Sequence, residues 1–204
     1  MSADKFALWA QPWWVNLLIL VPFLALWGFR RRGVRLTGQQ LFAGGIFAAA
    51  FGYVEAAVVI YIRASIGLLP GYQATLADVR RLAASLYRQP ILEIQMSPAL
   101  ITVELFRESA TLVMLAAVAV LMGRTRAERW AAFLWCFAIW DIVYYAGLWA
   151  TVRWPYSLLA SDVLFLIPVP WVAQVWFPLL VSALAILAVL AGRKKPGFVL
   201  DKKP

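Results

Sequence analysis

Three ionisable residues interrupt one long apolar stretch of the chain, residues 99–122. They are Glu104, Arg107 and Glu108. A helix of this length, at about 1.5 Å per residue, would cross the roughly 30 Å hydrocarbon core of a bilayer. An ionised side chain facing lipid costs at least about 2.5 kcal/mol, so these three must face protein or a water-filled cavity. Carboxylates in such a place can bind a cation, hold protons or contact a small ligand.

Helical spacing places the three charges together. Positions 104, 107, 108 and 111 fall within an arc of about 100° on a helix, so Glu104, Arg107, Glu108 and Thr111 share one stripe. Arg107 is one turn from Glu104 and directly precedes Glu108, and we expect its guanidinium to fork between their carboxylates. The sequence therefore predicts an inward-facing polar stripe on an otherwise apolar helix.

Three other segments each bring an acidic residue into apolar surroundings. Asp141 shares a helical stripe with Tyr144 and Tyr145. Asp162 lies in a short apolar run that prolines bound on both sides. Glu55 lies at the edge of a helix face of small residues, which lets a neighbouring helix approach closely. That face is formed by Gly44, Ala48, Gly52 and Ala56.

Helix rise places the acidic residues of the three long stretches at similar depths in the outer half of a membrane. We therefore predict one site. Its residues are Glu55, Glu104, Arg107, Glu108, Asp141, Tyr144, Tyr145 and Asp162. Glu55, Glu104, Glu108 and Asp141 are also candidate metal ligands, because carboxylate oxygens suit a divalent cation such as Mg²⁺, Ca²⁺ or Mn²⁺. The chain has no histidine, which removes the usual haem ligand, and haem is not expected.

The elements that must position these residues are apolar runs separated by charged segments. The predicted fold is an all-α integral membrane protein, a single domain over residues 1–204 with a bundle of about five transmembrane helices. An amphipathic helix on the outer face and a re-entrant or interfacial half-helix complete it. The predicted spans are 13–29, 39–62, 99–122, 130–152 and 171–191, with an outer loop over 63–98, the half-helix over 154–168 and a cytoplasmic tail over 192–204.

Basic residues determine the predicted orientation. Of the 19 Lys and Arg residues, twelve fall on one side of this arrangement and six on the other. The positive-inside rule then places the N-terminus outside and the C-terminus in the cytoplasm. The net charge of +9 is thus explained by topology, and nucleic acid is not an expected partner.

Several segments together resemble a family of small bacterial multi-pass inner-membrane proteins with no assigned function. They are FGYVEAAVVIYIR, ELFRESATLVML, IWDIVYYAGL and WPYSLLASDVLFLIPVPW. The resemblance implies a bacterial inner membrane, so that the outer side would be the periplasm. It assigns no activity.

Three functions remain open from the sequence. The first is a buried site in the outer half of the bilayer for a cation, protons or a small ligand. The second is a membrane-embedded acid–base enzyme acting on a lipid or isoprenoid, with aromatic side chains stabilising a substrate cation. The third is a non-catalytic subunit of a larger membrane complex. The expected partners are membrane lipid and either a second copy of the chain or another membrane subunit.

Overall fold

The computed structural model describes residues 9–65 and 98–194, and this part of the chain is mostly helical. A 3-10 helix, Trp13–Ile19, leads directly into α1. The α-helices are α1 (Leu20–Arg32), α2 (Gly38–Ser65), α3 (Pro98–Met122), α4 (Arg126–Val152) and α5 (Trp176–Gly192). Two short strands, β1 (Ser161–Phe165) and β2 (Trp171–Gln174), lie between α4 and α5.

Four of the helical segments are long and apolar enough to cross a membrane. They are Trp13–Arg32, Gly38–Tyr61, Ile101–Met122 and Arg126–Val152. The fifth apolar helix, α5, is shorter, with 17 residues. It begins at Trp176, because residues 171–174 of the predicted fifth span form β2 instead.

The helix α4 is the centre of the fold. It packs against α2, α3 and α5, while α1 packs mainly against α5. Of the most apolar part of α4, 56% is buried, against 22–28% for the other three long helices. Side chains that point from the surrounding elements toward the interior therefore meet on the surface of α4.

The small-residue face of α2 packs directly against α4, as the sequence predicts. A Cβ atom at Gly52 would collide with the backbone carbonyl of Trp140. Ala48 and Ala56 are fully buried on the same face. Because no side chain separates the two backbones at Gly52, α2 and α4 approach closely about one turn before Glu55.

A capping box begins α4. The Thr125 hydroxyl accepts a hydrogen bond from the backbone N–H of Glu128 at 3.2 Å, and the Glu128 carboxylate accepts one from the Thr125 N–H at 3.1 Å. This reciprocal pair satisfies two backbone donors that the first turn would otherwise leave unpaired. The helix therefore begins at Arg126, before the predicted start at residue 130.

The prediction of a half-helix over 154–168 is wrong, and the described part of the chain is not all helical. Residues 161–165 form a strand that pairs antiparallel with β2, with Asp162 opposite Ala173. Prolines at 168 and 170 could not continue a helix, since each lacks a backbone N–H donor and its ring clashes with the preceding turn. Pairing with β2 satisfies the backbone groups of this short apolar run in another way.

The predicted amphipathic helix of the outer loop and most of the predicted cytoplasmic tail lie outside the described residues.

Candidate ligand-binding cavity

A cavity of about 170 Å³ lies among α2, α3, α4, α5 and the β-hairpin. It exceeds by an order of magnitude the roughly 10–15 Å³ that one buried water requires. All eight predicted site residues line it: Glu55, Glu104, Arg107, Glu108, Asp141, Tyr144, Tyr145 and Asp162. The structure therefore brings together residues from α2, α3, α4 and β1 that are far apart in the chain.

Arg107 joins α3 to α2. Its guanidinium forms a salt bridge with Glu55 and a second one with Glu104, in which Nη2 and the Glu104 Oε2 are 2.8 Å apart. The Thr111 hydroxyl donates to Oε1 of Glu55 at 2.6 Å. Both carboxylates are at least nine-tenths buried, so Arg107 supplies the charge that makes their burial tolerable.

Glu108 has a different partner from the one predicted. Its Oε2 accepts a hydrogen bond at 2.8 Å from the backbone N–H of Leu166, just beyond the end of β1. The expectation that Arg107 would fork between Glu104 and Glu108 is thus wrong in its second partner. Glu55, on the neighbouring helix, takes that place.

Two aspartates occupy the part of the cavity formed by α4, β1 and α5. The Ser182 hydroxyl donates to Oδ2 of Asp141 at 2.8 Å, and the Tyr145 hydroxyl donates to Oδ2 of Asp162 at 3.0 Å. Both aspartates are buried. The Ser182 hydroxyl is neutral, so its hydrogen bond does not offset the negative charge of an ionised Asp141 carboxylate.

Aromatic side chains line the cavity beside the aspartates. The ring of Trp140 lies 6.1 Å from Tyr144 and 5.4 Å from Phe137, measured between ring centroids. Phe165 of β1 and Trp171 of β2 are 5.5 Å apart and continue this aromatic wall, which we define as Phe137, Trp140, Tyr144, Phe165 and Trp171. The face of an aromatic ring attracts cations, so the aromatic wall and the carboxylates both favour a positively charged ligand.

The predicted metal-ligand set is not assembled as one coordination sphere. Among residues 9–65 and 98–194, no group of three or more His, Cys, Asp or Glu side chains could hold a metal ion. Arg107 contacts Glu55 and Glu104, while Glu108 and Asp141 accept hydrogen bonds from other donors. Glu55, Glu104, Glu108 and Asp141 share the cavity without converging on a point, and a divalent cation stays a prediction.

Four components of the site were not identified from the sequence. Ser182 could have been identified from the sequence, because it is the one hydroxyl residue of the apolar helix α5 and a lone polar residue in such a helix indicates a functional or buried contact. The backbone N–H of Leu166 gave no signal, since it depends on how the hairpin is placed. The same holds for Phe165 and Trp171, which reach the cavity only because β1 and β2 pair.

No protein-family model, curated protein or solved structure matches this chain. The resemblance to small bacterial inner-membrane proteins therefore stays a prediction. The geometry of the cavity is what a functional proposal can rest on.

Proposed function

We propose that this chain is an integral membrane protein, a bundle of five apolar helices, whose buried cavity binds a positively charged small ligand. One observation carries the proposal: among residues 9–65 and 98–194, five acidic side chains and one arginine line one cavity of about 170 Å³. The cavity would lie in the outer half of the bilayer, near the C-terminal ends of α2 and α4.

Exposed apolar side chains support the membrane placement. Leu24, Phe106 and Leu121, on α1 and α3, are 66%, 72% and 85% exposed. Large apolar surfaces on several helices would be costly in water, whereas lipid tails would cover them at no such cost. The length and composition of the four long helices agree with this placement.

The arginine-rich segments support the orientation. Arg32 and Arg35 line the same pocket as Arg124 and Arg126, and Val34 pairs with Arg193 in an isolated bridge. Basic residues from three connecting segments thus lie at one end of the helices, which would face the cytoplasm of a bacterial cell. A reporter fused after Pro204 should be active in the cytoplasm. Activity in the periplasm would contradict the proposed orientation.

The charge balance supports a cationic ligand. Arg107 offsets one of its two carboxylate partners, whereas Glu108 accepts a hydrogen bond from a backbone N–H and Asp141 accepts one from a hydroxyl, and neither donor carries a charge. In a poorly solvated layer, such an excess of negative charge must be met by protons or by a cation. A positively charged ligand would meet it directly.

The aromatic wall favours an organic cation or a hydrated ion over a metal held by direct coordination. An ammonium group gains from ring faces and nearby carboxylates without needing several oxygen ligands at fixed distances. The cavity would suit a small ligand, because it is below the roughly 300–1,000 Å³ typical of sites for drug-sized molecules.

The test measures thermal unfolding of the purified protein in detergent with tetramethylammonium, Na⁺, Mg²⁺ or Ca²⁺, at matched ionic strength. A ligand that binds only the folded state stabilises it by RT ln(1 + [L]/Kd), so Tm should rise with the logarithm of the concentration of at least one cation above its Kd. Asp141→Asn and Asp162→Asn keep the side-chain shape, remove a charge and should weaken the effect.

Glu128→Gln is the matched control. Glu128 does not line the cavity, and glutamine can replace glutamate in a capping box. This variant should keep the response to the cation. The proposal would be contradicted if no cation changed the Tm of the wild type. It would also be contradicted if Glu128→Gln lost the response as much as Asp141→Asn and Asp162→Asn did.

A second candidate is an acid–base enzyme that acts on a lipid or isoprenoid. The position of Asp141 beside the rings of Trp140 and Tyr144 favours it, because such rings could stabilise a cation formed on the substrate. A lipid-like molecule that copurifies and is lost in Asp141→Asn would favour the enzyme. A copurifying membrane subunit would favour a role in a larger complex.

A further inference from the structure

A second pocket, of about 640 Å³, lies at the opposite end of α2, α3 and α4 from the acidic cavity. It is formed where α1 turns into α2 and where α3 turns into α4. Four arginines line it, together with the capping residues of two helices. We call it the basic pocket; its charged residues are Arg32, Arg35, Arg124, Arg126 and Glu128.

The N-termini of two long helices meet at this pocket. At α2, the Thr37 hydroxyl accepts from the Gln40 N–H at 3.1 Å, while the Gln40 side chain accepts from the Thr37 N–H at 2.8 Å. At α4, Thr125 and Glu128 make the equivalent exchange. Each helix N-terminus carries roughly half a positive charge, which adds to the potential of the arginines at α2, whereas the Glu128 carboxylate offsets it at α4.

Within the described part of the chain, the one acidic residue that lines the pocket already has hydrogen-bond partners. Glu128 is buried, and its Oε2 accepts from the backbone N–H groups of Arg124 and Thr125 at 3.0 and 3.1 Å. None of the four arginines forms a salt bridge with a carboxylate among residues 9–65 and 98–194. All four side chains are exposed, so their guanidinium groups are available to a ligand.

We propose that the basic pocket binds a phosphate group. Guanidinium groups match phosphate oxygens through paired N–H donors, and helix N-termini favour phosphate for the same electrostatic reason. The volume suits a phosphate with the small group attached to it, because ligand sites commonly enclose about 300–1,000 Å³. Orientation alone would require only that the arginines lie on one side of a membrane, not that they converge on one pocket.

Two sources could supply the phosphate. If the chain spans a membrane as proposed above, the pocket opens at the cytoplasmic surface, where the headgroup of an anionic phospholipid would reach it. A free phosphate in the cytoplasm presents the same anion. Phosphate binding itself does not depend on the acidic cavity or its ligand, so either proposal can fail while the other stands.

The test compares two double variants of the full chain, purified in detergent. Arg35→Gln/Arg124→Gln removes two arginines of the pocket. Arg30→Gln/Arg31→Gln removes two neighbouring arginines that do not line it and changes the net charge equally. Phosphatidylglycerol and, separately, inorganic phosphate are titrated, with phosphatidylcholine and chloride as reference ligands, and Kd is read from native mass spectrometry or calorimetry.

The wild type should bind with saturation at one site. If each arginine contributes about 1 kcal/mol near an anionic headgroup, the pocket variant should bind about 30-fold more weakly, while the control should stay within about twofold of the wild type. Binding of phosphatidylglycerol alone would identify a lipid headgroup as the ligand. Binding of inorganic phosphate with similar affinity would identify a soluble phosphate compound.

Two outcomes would overturn the proposal. One is that neither phosphatidylglycerol nor phosphate binds better than its reference ligand. The other is that both double variants lose affinity equally, which would mean a diffuse attraction to the basic surface. Melting curves of the variants without ligand establish that each is folded, so a loss of binding reports on the pocket.

Discussion

The acidic cavity and the basic pocket lie at opposite ends of the same three helices, and they hold charge in opposite ways. In the cavity, the carboxylates are buried. Glu104 pairs with Arg107 of its own helix, while Glu55, Glu108 and Asp141 accept hydrogen bonds from neighbouring elements. In the basic pocket, the arginines are exposed, and the hydrogen bonds of Glu128 serve to begin a helix. The carboxylates of the acidic cavity are thus part of the core, whereas the arginines of the basic pocket lie at the surface.

This difference determines how each region should respond to change. A buried charge that loses its partner keeps its full desolvation cost, so the acidic cavity should be sensitive to single substitutions. An exposed charge is solvated and screened by salt, so arginines of the basic pocket should matter for ligands more than for stability. Four predictions test the comparison, from the largest expected effect to the smallest.

Arg107→Ala should have the largest effect. It leaves Glu55 and Glu104 buried without their counter-charge, and breaking such a pair typically costs about 3–5 kcal/mol. Arg107→Lys should recover only part of this, because an ammonium cannot donate through the same planar fork. Unfolding in detergent measures the loss, with the exposed Arg30→Ala as control. If Arg107→Ala and Arg30→Ala unfold alike, the cavity is not held together by its arginine.

Gly52→Ala should destabilise by about 1–3 kcal/mol, because the added methyl group meets the backbone of Trp140 and must push α2 from α4. Gly28→Ala is the matched control, since a Cβ atom there would have no described neighbour within 4 Å. The control should be neutral, or stabilising by up to about 1 kcal/mol, since alanine is the better helix former. Equal melting temperatures for the two variants would mean that α2 and α4 do not touch at Gly52.

Ser182→Ala should cost about 1–2 kcal/mol, because it removes the hydroxyl that donates to the buried Asp141. The control is Ser109→Ala. Ser109 is exposed, and its hydroxyl donates to the Leu105 carbonyl of its own helix at 2.8 Å, so its loss should change stability little. The prediction fails if the two serines prove equally dispensable in denaturant unfolding.

The Arg35→Gln/Arg124→Gln variant should show the smallest effect without ligand, about 0.5 kcal/mol or less per substitution. Because exposed charges are screened beyond about 3 Å in 1 M salt, any difference should shrink further as salt is raised. The loss caused by Arg107→Ala should persist at the same salt concentration. A basic-pocket variant as unstable as Arg107→Ala would remove the distinction between the two regions.

Much of the acidic cavity follows from residue types and helical spacing. Glu104, Arg107 and Thr111 share a stripe because the helix repeats every 3.6 residues, and the high cost of charge in lipid points that stripe inward. The small residues around Gly52 likewise predict a close helix contact. Neither inference needs a partner helix to be known.

The salt-bridge and hydrogen-bond partners of the cavity residues were not predictable in the same way. Arg107 pairs with Glu55 instead of Glu108, because consecutive side chains on a helix point about 100° apart, whereas α2 places Glu55 in contact with the guanidinium. Helical spacing reports only on neighbours within one element, so it favoured the wrong carboxylate. Ser182 stands out in the sequence as the one hydroxyl of α5, but its partner Asp141 follows only from the packing of α5 beside α4.

The sequence by itself determined that this chain has long apolar helices with inward-facing acids and clustered arginines between them. Apolar length, helical period and the cost of burying charge are local properties, which the sequence carries directly. Only the tertiary structure decided that residues 161–174 form a hairpin, since a short apolar run can become a strand once another strand satisfies its backbone. The same packing brought the hairpin's aromatic rings to the carboxylates and two helix N-termini to one pocket, because contacts between distant segments depend on how the helices assemble.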